Sequence, residues 1–256
     1  MAEQSPLEPR ISAVLNTYNA AARLEEVLRS LEKFDEIVVC DMHSDDETRS
    51  IARRFGARIV DHERCSICEP ARNAAIRAAR CPWVLIVDAD EVVPDALREY
   101  LYGLIRRPDA PAALRLPRKN YFMGRFMRCL YPDYITRFAR RDCIDWPPTI
   151  HAQPRIEGRV DTVPRERTDL AFVHRADNSV GARLRKTDLY TDQETLRRGA
   201  RSYSAAAYLL KPFSRFFHTY VQKGGFRDGI PGLVWAMLNA FYKFVTLAKQ
   251  EEQTRL

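Results

Sequence analysis

Short apolar runs alternate with amphipathic segments through the first half of the chain. The apolar runs are Ile11–Thr17, Glu36–Asp41, Arg58–Val60 and Trp83–Asp88. Between the first two, Leu24, Val27, Leu28 and Leu31 recur at the spacing i, i+3, i+4 and i+7, which places them on one face of a helix. Strands that alternate with helices are typical of a parallel sheet covered by helices, so the pattern predicts an α/β fold.

Capping and turn residues predict where the next helices begin. Ser44 stands three residues before Glu47, the spacing of a capping box, and predicts a helix that stops at Gly56. Pro70 and Pro94 each suit the first turn of a helix, because proline lacks the N–H that this turn leaves unbonded. The two helices are expected to run to about residues 80 and 105.

The pattern changes after residue 111. Residues 112–174 are rich in proline and aromatic side chains, and their short apolar runs predict at least one antiparallel strand. From Ser179 onward the chain is helical in character, with breaks at the glycines of residues 223–225 and 229–232. We therefore expect one α/β domain over residues 1–178 and a helical region over residues 179–256.

Polar residues close three of the predicted strands. Parallel sheets bind ligands at the carboxyl ends of their strands, and here those ends carry Thr17, Asp41 and Asp88. Because side chains alternate along a strand, Asp88 and Asp90 can point to the same side if the extended geometry persists. Two carboxylates so placed suit Mg²⁺ or Mn²⁺ held against a diphosphate.

Two other interpretations of this dyad stay open at this stage. Asp88 and Asp90 could form a solvated acidic turn before the next helix, whose positive end favours carboxylates. Phosphatases that form an aspartyl-phosphate also place Asp-x-Asp after an apolar strand. They normally continue with Gly-Thr, whereas this chain continues with Glu91-Val92, which disfavours a phosphatase.

The formal net charge of +7 indicates an anionic partner, such as nucleotide phosphates, nucleic acid or acidic lipid. The sequence shows no recognised nucleic-acid module with base-stacking aromatics, so we expect no nucleic-acid partner.

Residues 1–10 are polar and the following apolar run is too short for a signal peptide, which predicts a cytoplasmic location. Cys65 and Cys68 form a single CxxC without a second ligand pair, which indicates a plain loop.

Four motifs occur in a fixed order along the chain: Asn16–Asn19, Asp41-x-x-Ser44-x-Asp46-x-Thr48, Ala71–Asn73 and Asp88–Glu91. In this set and order the sequence resembles family 2 of the inverting glycosyltransferases, which share the GT-A fold. Further segments are similar to the lipopolysaccharide-core glucosyltransferases of the WaaE/KdtX type: Tyr121–Arg125, Tyr131–Tyr134, Arg137-Phe138 and Gly225–Gly229. The resemblance implies a mostly parallel sheet flanked by helices, with a donor half near residues 10–111 and an acceptor half near 112–178.

The resemblance also implies roles for individual residues. The nucleotide-sugar-binding residues are expected to be Thr17, Tyr18, Asn19, Asp41, Arg72 and Asp88. Asp88 would lie near the ribose and the metal, and Asp90 would ligate the metal. The implied reaction is an inverting transfer from a nucleotide-diphosphate sugar, expected to be a UDP-sugar, to a lipopolysaccharide core or another glycolipid or glycan acceptor.

One departure from the family pattern concerns the catalytic base. The related core transferases carry a His-Glu pair after a tryptophan, but the residues that follow Trp146 here include His151 and then Ala152. With the expected carboxylate missing, His151 and Asp133 are the candidate bases. The missing glutamate also leaves open a protein that binds a nucleotide sugar, or acts as a scaffold, without catalysis.

The last third of the chain predicts a membrane contact. Basic and aromatic residues interleave in Tyr208–Phe217, as in segments that lie at a membrane interface. Leu233–Leu247 is apolar, but Asn239 and Lys243 interrupt it, so we expect it to be too short and polar to span. Ordinary helices that pack on the domain are the alternative. We expect peripheral contact with an anionic membrane, on the cytoplasmic face of the inner membrane.

Overall fold

The structure is a computed structural model that describes residues 9–65, 69–147, 153–176 and 178–255. It divides into two compact units, which we describe separately. The α/β unit comprises residues 1–118 and 133–175, and the helical unit comprises residues 119–132 and 176–256. The segment 119–132, which the sequence analysis placed in the acceptor half, thus groups with the C-terminal helices.

The elements follow the chain in this order. The strands are β1 (Ile11–Thr17), β2 (Glu36–Asp41), β3 (Arg58–Asp61), β4 (Trp83–Asp88), β5 (Glu91–Val92), β6 (Ala113–Leu116), β7 (Arg118–Phe122), β8 (Arg125–Phe126), β9 (Ile135–Arg140), β10 (Ile144–Asp145), β11 (Arg155–Ile156), β12 (Val160–Thr162) and β13 (Phe172–His174). The α-helices are α1 (Ala21–Leu31), α2 (Thr48–Arg54), α3 (Glu69–Ala78), α4 (Asp95–Ile105), α5 (Val180–Arg198), α6 (Ala205–Phe217) and α7 (Ile230–Glu252).

A mostly parallel sheet forms the centre of the α/β unit. Its strand order is β12-β6-β9-β4-β1-β2-β3. Strand β1 pairs in parallel with β2 and β4, and β2 pairs in parallel with β3. Strand β9 runs antiparallel to both β4 and β6. The predicted α/β class, with at least one antiparallel strand in the second half of the domain, is confirmed.

Both faces of this sheet are buried, which explains why its strands are apolar at consecutive positions rather than at alternate ones. Ala13 and Leu15 of β1 belong to one hydrophobic core, together with residues of α1 and α4. Val14, between them, belongs to a second core that includes residues of α3. Helix α1 buries Leu24, Val27, Leu28 and Leu31, the four residues that its spacing predicted. Each such side chain contributes about 1.5–3 kcal/mol when fully buried.

The predicted helix starts are confirmed at the prolines and wrong at the capping box. Pro94 is the N-cap of α4, and Pro70 is the second residue of α3. Helix α2, in contrast, begins at Thr48, with Glu47 as its N-cap and no side-chain capping bond. Ser44 does not cap it because its hydroxyl donates to the carboxylate of Asp41 at 2.6 Å.

In the helical unit, α7 packs against both α5 and α6. Ser179 caps α5 by accepting the N–H of Ala182 at 3.2 Å. Helix α7 is longer at both ends than the apolar segment that the sequence indicated, and by length and composition alone it could cross a membrane. Two of its polar side chains bond to α5: Asn239 accepts from Arg183 at 3.2 Å, and Tyr242 donates to Glu194 at 2.6 Å.

The Gly225–Gly229 segment anchors the helical unit. The carboxylate of Asp228 is buried and accepts the backbone N–H groups of Arg128 at 3.0 Å and Cys129 at 2.9 Å. These donors begin a short 3₁₀ helix at residues 128–130. Gly225 also lies so close to Gly232 that a methyl group on Gly232 would stand 1.9 Å from the Gly225 carbonyl oxygen. The segment resembling core transferases thus has a structural task.

Candidate functional site

The polar residues at the carboxyl ends of the central strands are brought together by the register of the sheet. Thr17 of β1 lies opposite Asp41 of β2, and Asn16 lies opposite Asp88 of β4. Neighbouring strands are separated by about 4.8 Å. The three residues expected at the ligand-binding edge, Thr17, Asp41 and Asp88, therefore line one continuous edge of three adjacent strands.

Asp41 is fully buried, and hydrogen bonds engage both of its oxygens. One oxygen accepts from the hydroxyls of Thr17 at 2.8 Å and Ser44 at 2.6 Å. The other accepts from the backbone N–H of Ser44 at 3.0 Å and the guanidinium of Arg49 at 3.1 Å. Burial alone would raise the pKa of Asp41, but these donors outweigh it and lower the pKa. In this arrangement Asp41 orders the strand edge and presents no exposed oxygen.

The motif that follows Asp41 ties two loops together. Ser44 accepts the backbone N–H of Asn19 at 3.0 Å, and Thr48 accepts that of Ala20 at 2.8 Å. Asp46 accepts the N–H of the first residue of α1 at 3.0 Å. Asn19 has a φ of +49°, a left-handed conformation that asparagine tolerates better than most residues. These side chains fix the backbone after β1, next to the ligand edge.

Tyr18 is the exposed side chain of this loop. The guanidinium of Arg64 stacks on its ring, with the central carbon of the guanidinium 4.2 Å from the ring centroid. An exposed aromatic ring beside the carboxyl edge can stack on a planar ligand, and the guanidinium adds a positive charge next to it. Of the residues expected to bind the nucleotide, Tyr18 is therefore among the accessible ones.

Asp88 lies between two guanidinium groups. One oxygen accepts from Arg72 of α3 at 2.9 Å, and the other accepts from Arg137 of β9. Burial by itself would raise the pKa of Asp88, but the charges of Arg137 and Arg72 lower it to about 2. The carboxylate is ionised at neutral pH and 31% exposed. Both of its oxygens are engaged, which leaves Asp88 better suited to positioning a ligand than to binding a cation.

Arg137 is a residue of this site to which the sequence analysis gave no role. Its side chain is only 6% exposed, and its Nε and one terminal nitrogen have no hydrogen-bond partner among the described residues. Buried donors without partners cost about 1–3 kcal/mol each, and native proteins hold few of them. The signal in the sequence was its position on a strand of the central sheet, where a charged residue is unusual.

Asp90 has a different partner from Asp88. The chain turns at Ala89-Asp90, so the extended geometry that would align the two carboxylates ends at Asp88. Asp90 is 35% exposed, and its Oδ2 lies 3.4 Å from Nε2 of His174. Strand β13 carries His174 to this position because it pairs with β5 in antiparallel register, His174 opposite Glu91. His174 was not predicted from the sequence, although a histidine that ends an apolar strand is a recognisable signal.

The donor set around Asp90 determines whether a metal ion fits. Within the described residues, three or more His, Cys, Asp or Glu side chains never converge on one point. The carboxylate of Asp90 is a ligand type that both Mg²⁺ and Mn²⁺ accept, whereas the imidazole of His174 suits Mn²⁺ better than Mg²⁺, which prefers oxygen ligands. A cation bound there would take its other ligands from substrate oxygens and water, which is the usual arrangement for Mg²⁺ in phosphate chemistry.

Asp133, a candidate base, belongs to a chain of ion pairs. Its Oδ2 accepts from two nitrogens of Arg118, at 2.9 and 2.7 Å. Arg118 also donates to the buried Glu91 at 2.9 Å, and Glu91 accepts the backbone N–H of Asp88 at 3.1 Å. These contacts connect Asp133 with the strand end that carries Asp88. His151, the other candidate base, lies outside the described residues.

The residues that form this strand edge fall within the part of the chain that matches a known protein family. The model of glycosyl transferase family 2 matches residues 12–153, more than half of the chain. The lipopolysaccharide core biosynthesis glycosyltransferase LpsC of Rhizobium meliloti is 25% identical over 93% of this chain and 91% of LpsC. A glycosyltransferase of Rickettsia bellii is 26% identical over 96% of this chain and 87% of its own length.

The chain is also similar to solved structures at low sequence identity. Residues 1–349 of TarS from S. aureus, in complex with UDP, are 19% identical over 96% of this chain and 91% of that chain, with a TM-score of 0.49. Glucosyl-3-phosphoglycerate synthase from Mycobacterium tuberculosis is 21% identical over 52% of this chain and 57% of that chain, with a TM-score of 0.41. The family match covers more than half of the chain and includes the strand edge that carries Thr17, Asp41 and Asp88. The chain therefore belongs to glycosyl transferase family 2 and is a glycosyltransferase.

Proposed function

We propose that this glycosyltransferase moves a sugar from a nucleotide-diphosphate donor, a UDP-sugar, to a lipopolysaccharide-core or other glycolipid or glycan acceptor, with inversion at the anomeric carbon. The observation that carries the proposal is the pairing of Asp90 with His174 next to an ionised Asp88 at the ligand edge of the sheet. The name of LpsC, which matches this chain over most of both lengths, supports the acceptor class.

For the donor, we assign the nucleoside to the edge formed by Thr17, Tyr18, Asn19, Asp41 and Arg72. Tyr18 offers its exposed ring to the base, and the guanidinium of Arg64 lies on that ring. Asp88 keeps a partly exposed carboxylate that can accept a ribose hydroxyl while Arg72 and Arg137 hold it in place. Thr17 and Asp41 act by ordering the strand edge, since Asp41 has no exposed oxygen.

For the metal, we assign Asp90 and His174 as the protein ligands of Mg²⁺ or Mn²⁺, and Asp88 as their neighbour rather than a ligand. A divalent cation, when bound, neutralises charge that develops on the departing diphosphate. The protein's contribution is to fix the carboxylate and the imidazole at one edge. The backbone N–H of Arg175 supports this by donating to the carbonyl of Asp90 at 2.7 Å.

For the acceptor, an inverting single displacement requires a base that removes the proton of the attacking hydroxyl. We propose Asp133 as the candidate base among the described residues, since Arg118 holds its Oδ2 in a fixed position. His151 remains the alternative from the sequence. Neither residue is the glutamate that the related core transferases carry, and Ala152 occupies that position.

The substitution at Ala152 favours a second candidate, a protein that binds a nucleotide sugar without transferring it. Incubation with a panel of nucleotide-diphosphate sugars, Mn²⁺ and a lipopolysaccharide-core acceptor separates the two. We expect one donor to give both slow hydrolysis and faster transfer to the acceptor. Donor binding detected by thermal shift, with neither hydrolysis nor transfer for any donor, would support the non-catalytic protein.

We further propose that the enzyme is cytoplasmic and contacts an anionic membrane peripherally through residues 205–249. Helices α6 and α7 expose large apolar side chains, among them Leu209 at 74% and Phe213 at 65%. Flotation with liposomes tests this contact. Binding to phosphatidylglycerol liposomes that weakens with added salt is the expected result, because salt screens the attraction. Equal binding to neutral and anionic liposomes would contradict it.

A further inference from the structure

A groove of about 710 Å³ lies within the helical unit. It is formed by the last turns of α5, by α6 and the turn that follows it, and by the middle of α7. Its basic side chains are Arg198, Lys211, Arg215 and Lys243, and its one carboxylate is Glu194. The groove therefore carries three more positive charges than negative ones.

The single carboxylate of the groove is already engaged. Glu194 accepts from Arg198 at 2.8 Å and from the hydroxyl of Tyr242 at 2.6 Å. Lys211 rests on the ring of Tyr203, with its nitrogen 4.1 Å from the ring centroid. Across the described part of the chain, no ion pair includes Lys211, Arg215 or Lys243. Within the described residues, Glu194 is the carboxylate nearest to hand for these three cations, and it compensates their charge only in part.

The cations of the groove repel one another. Burial and the other basic side chains of the groove lower the pKa of Lys243. Burial and the charge of Arg215 likewise lower the pKa of Arg183, which lies next to the groove. Clustering like charges in this way costs stability unless an anion binds among them. A structural reason for the cluster, such as a network of salt bridges, is missing among the described residues.

Apolar side chains border the cationic groove. Leu210 and Phe217 line it and are 65% and 44% exposed, and Leu209 and Phe213 extend the same exposed stretch of α6. A free inorganic anion would gain nothing from this border. An amphiphile would place its phosphate among the cations and its hydrocarbon against the leucine and phenylalanine side chains.

We propose that this groove binds the phosphate group of an anionic amphiphile, with Lys211, Arg215 and Lys243 as the phosphate ligands and Leu210 and Phe217 against its hydrocarbon part. The site lies inside the segment 205–249 and rests on the membrane contact proposed above for its lipid class, but it binds single amphiphile molecules and requires neither a bilayer surface nor glycosyl transfer. It differs from the donor site in its residues and in needing no divalent cation.

The test uses short-chain dihexanoyl phosphatidic acid below its micelle concentration, with inorganic phosphate in a parallel arm, and follows binding by calorimetry and thermal shift. The variant is Arg215→Gln with Lys243→Gln. The matched control is Arg185→Gln with Arg197→Gln, which removes two exposed charges of α5 outside the groove. We expect the wild-type protein and the control to bind the lipid at least about tenfold more tightly than phosphate.

In the groove variant we expect lipid affinity to fall by about tenfold or more for each lost cation. Without ligand, the melting temperature of that variant should stay the same or rise, because the mutual repulsion is relieved. If the groove variant loses lipid binding and also melts at a lower temperature than the wild type without ligand, the cations are structural and the proposal is overturned. Lipid binding unchanged in the groove variant, or phosphate binding as tight as lipid binding, would overturn it as well.

Discussion

Asp88 derives its properties from the two arginines beside it. Arg72 lies on α3 and Arg137 on β9, two elements that are distant in the sequence, and both donate to the same carboxylate. The result is a fixed, ionised group at the end of β4 whose partners are themselves largely buried. Fixed charges of this kind are effective because they need no rearrangement when a polar ligand binds.

Asp88→Asn should therefore lower the free energy of unfolding in a pH-dependent way. The pKa of Asp88 in the folded protein, about 2, lies below its ordinary value of 3.8, so the stabilisation is fully present above pH 3.8 and is lost as the pH falls towards 2. Urea unfolding should show a loss of roughly 2 kcal/mol at neutral pH, from the size of this shift. The difference between variant and wild type should narrow below about pH 4.

The control for this measurement is Asp142→Asn, which removes an exposed partner of Arg140. Exposed pairs of this kind contribute about 1 kcal/mol or less. A constant difference between Asp88→Asn and wild type from neutral to acid pH would show that the carboxylate's charge is unimportant to the fold, and that its arginine pairs are not what holds β4, α3 and β9 at the site.

Asp133 and His151 make different predictions for the pH dependence of transfer. A histidine base must be neutral, so the rate should fall as the pH drops through the range in which imidazole is protonated, whereas an aspartate base stays active to lower pH. The measurement is the pH profile of the wild-type enzyme together with Asp133→Asn and His151→Ala, once both variants are shown to bind donor. If both variants transfer at the wild-type rate, neither residue is the base.

Among single residues, the sequence predicted those whose roles depend on position along one strand. Thr17, Asp41 and Asp88 lie at strand ends because apolar runs stop there, and the structure places all three on one edge. His174 and Arg137 were missed because their strands, β13 and β9, join the site only through long-range pairing. Spacing along the chain contains no information about such partners.

Close packing of Gly225 against Gly232 lets α7 begin where it does. A methyl group added to Gly232 would stand 1.9 Å from the carbonyl oxygen of Gly225, a backbone atom that cannot move aside. Gly232→Ala should cost about 3 kcal/mol or more in urea unfolding. Gly103→Ala in α4 is the matched control, since it meets nothing within 4 Å and should stabilise by about 0.5–1 kcal/mol. Equal effects of the two changes would refute this packing account.

Elements with a strong local pattern were predicted with their correct bounds. The strands Ile11–Thr17, Glu36–Asp41 and Trp83–Asp88 agree at both ends. The start of α2 was misplaced because the hydroxyl of Ser44 has two possible partners, the helix terminus and the carboxylate of Asp41. It bonds to Asp41, since a hydrogen bond to a buried charged group is the stronger one. The strand pairs formed by the irregular segment after residue 111 depend on tertiary contacts, so local sequence could not predict them.

Across the whole chain, the positive charge is divided between two tasks. In the α/β unit, arginines are matched with carboxylates at the ligand edge, as in the pairs of Arg72, Arg118 and Arg137. In the helical unit, Lys211, Arg215 and Lys243 cluster around a groove with little compensation. The net charge of +7 is consistent with the two anionic partners proposed above, an amphiphile at the helical unit and a nucleotide diphosphate at the strand edge.

The central claim is that Asp90, with His174, binds the divalent cation that accompanies the donor diphosphate. The most direct measurement is titration calorimetry of UDP with and without Mn²⁺, using wild type, Asp90→Asn and the control Asp142→Asn. We predict that Mn²⁺ tightens UDP binding by at least about tenfold in wild type and control, and that Asp90→Asn loses this gain but keeps metal-free UDP binding. An Mn²⁺-dependent gain as large in Asp90→Asn as in wild type would contradict the account.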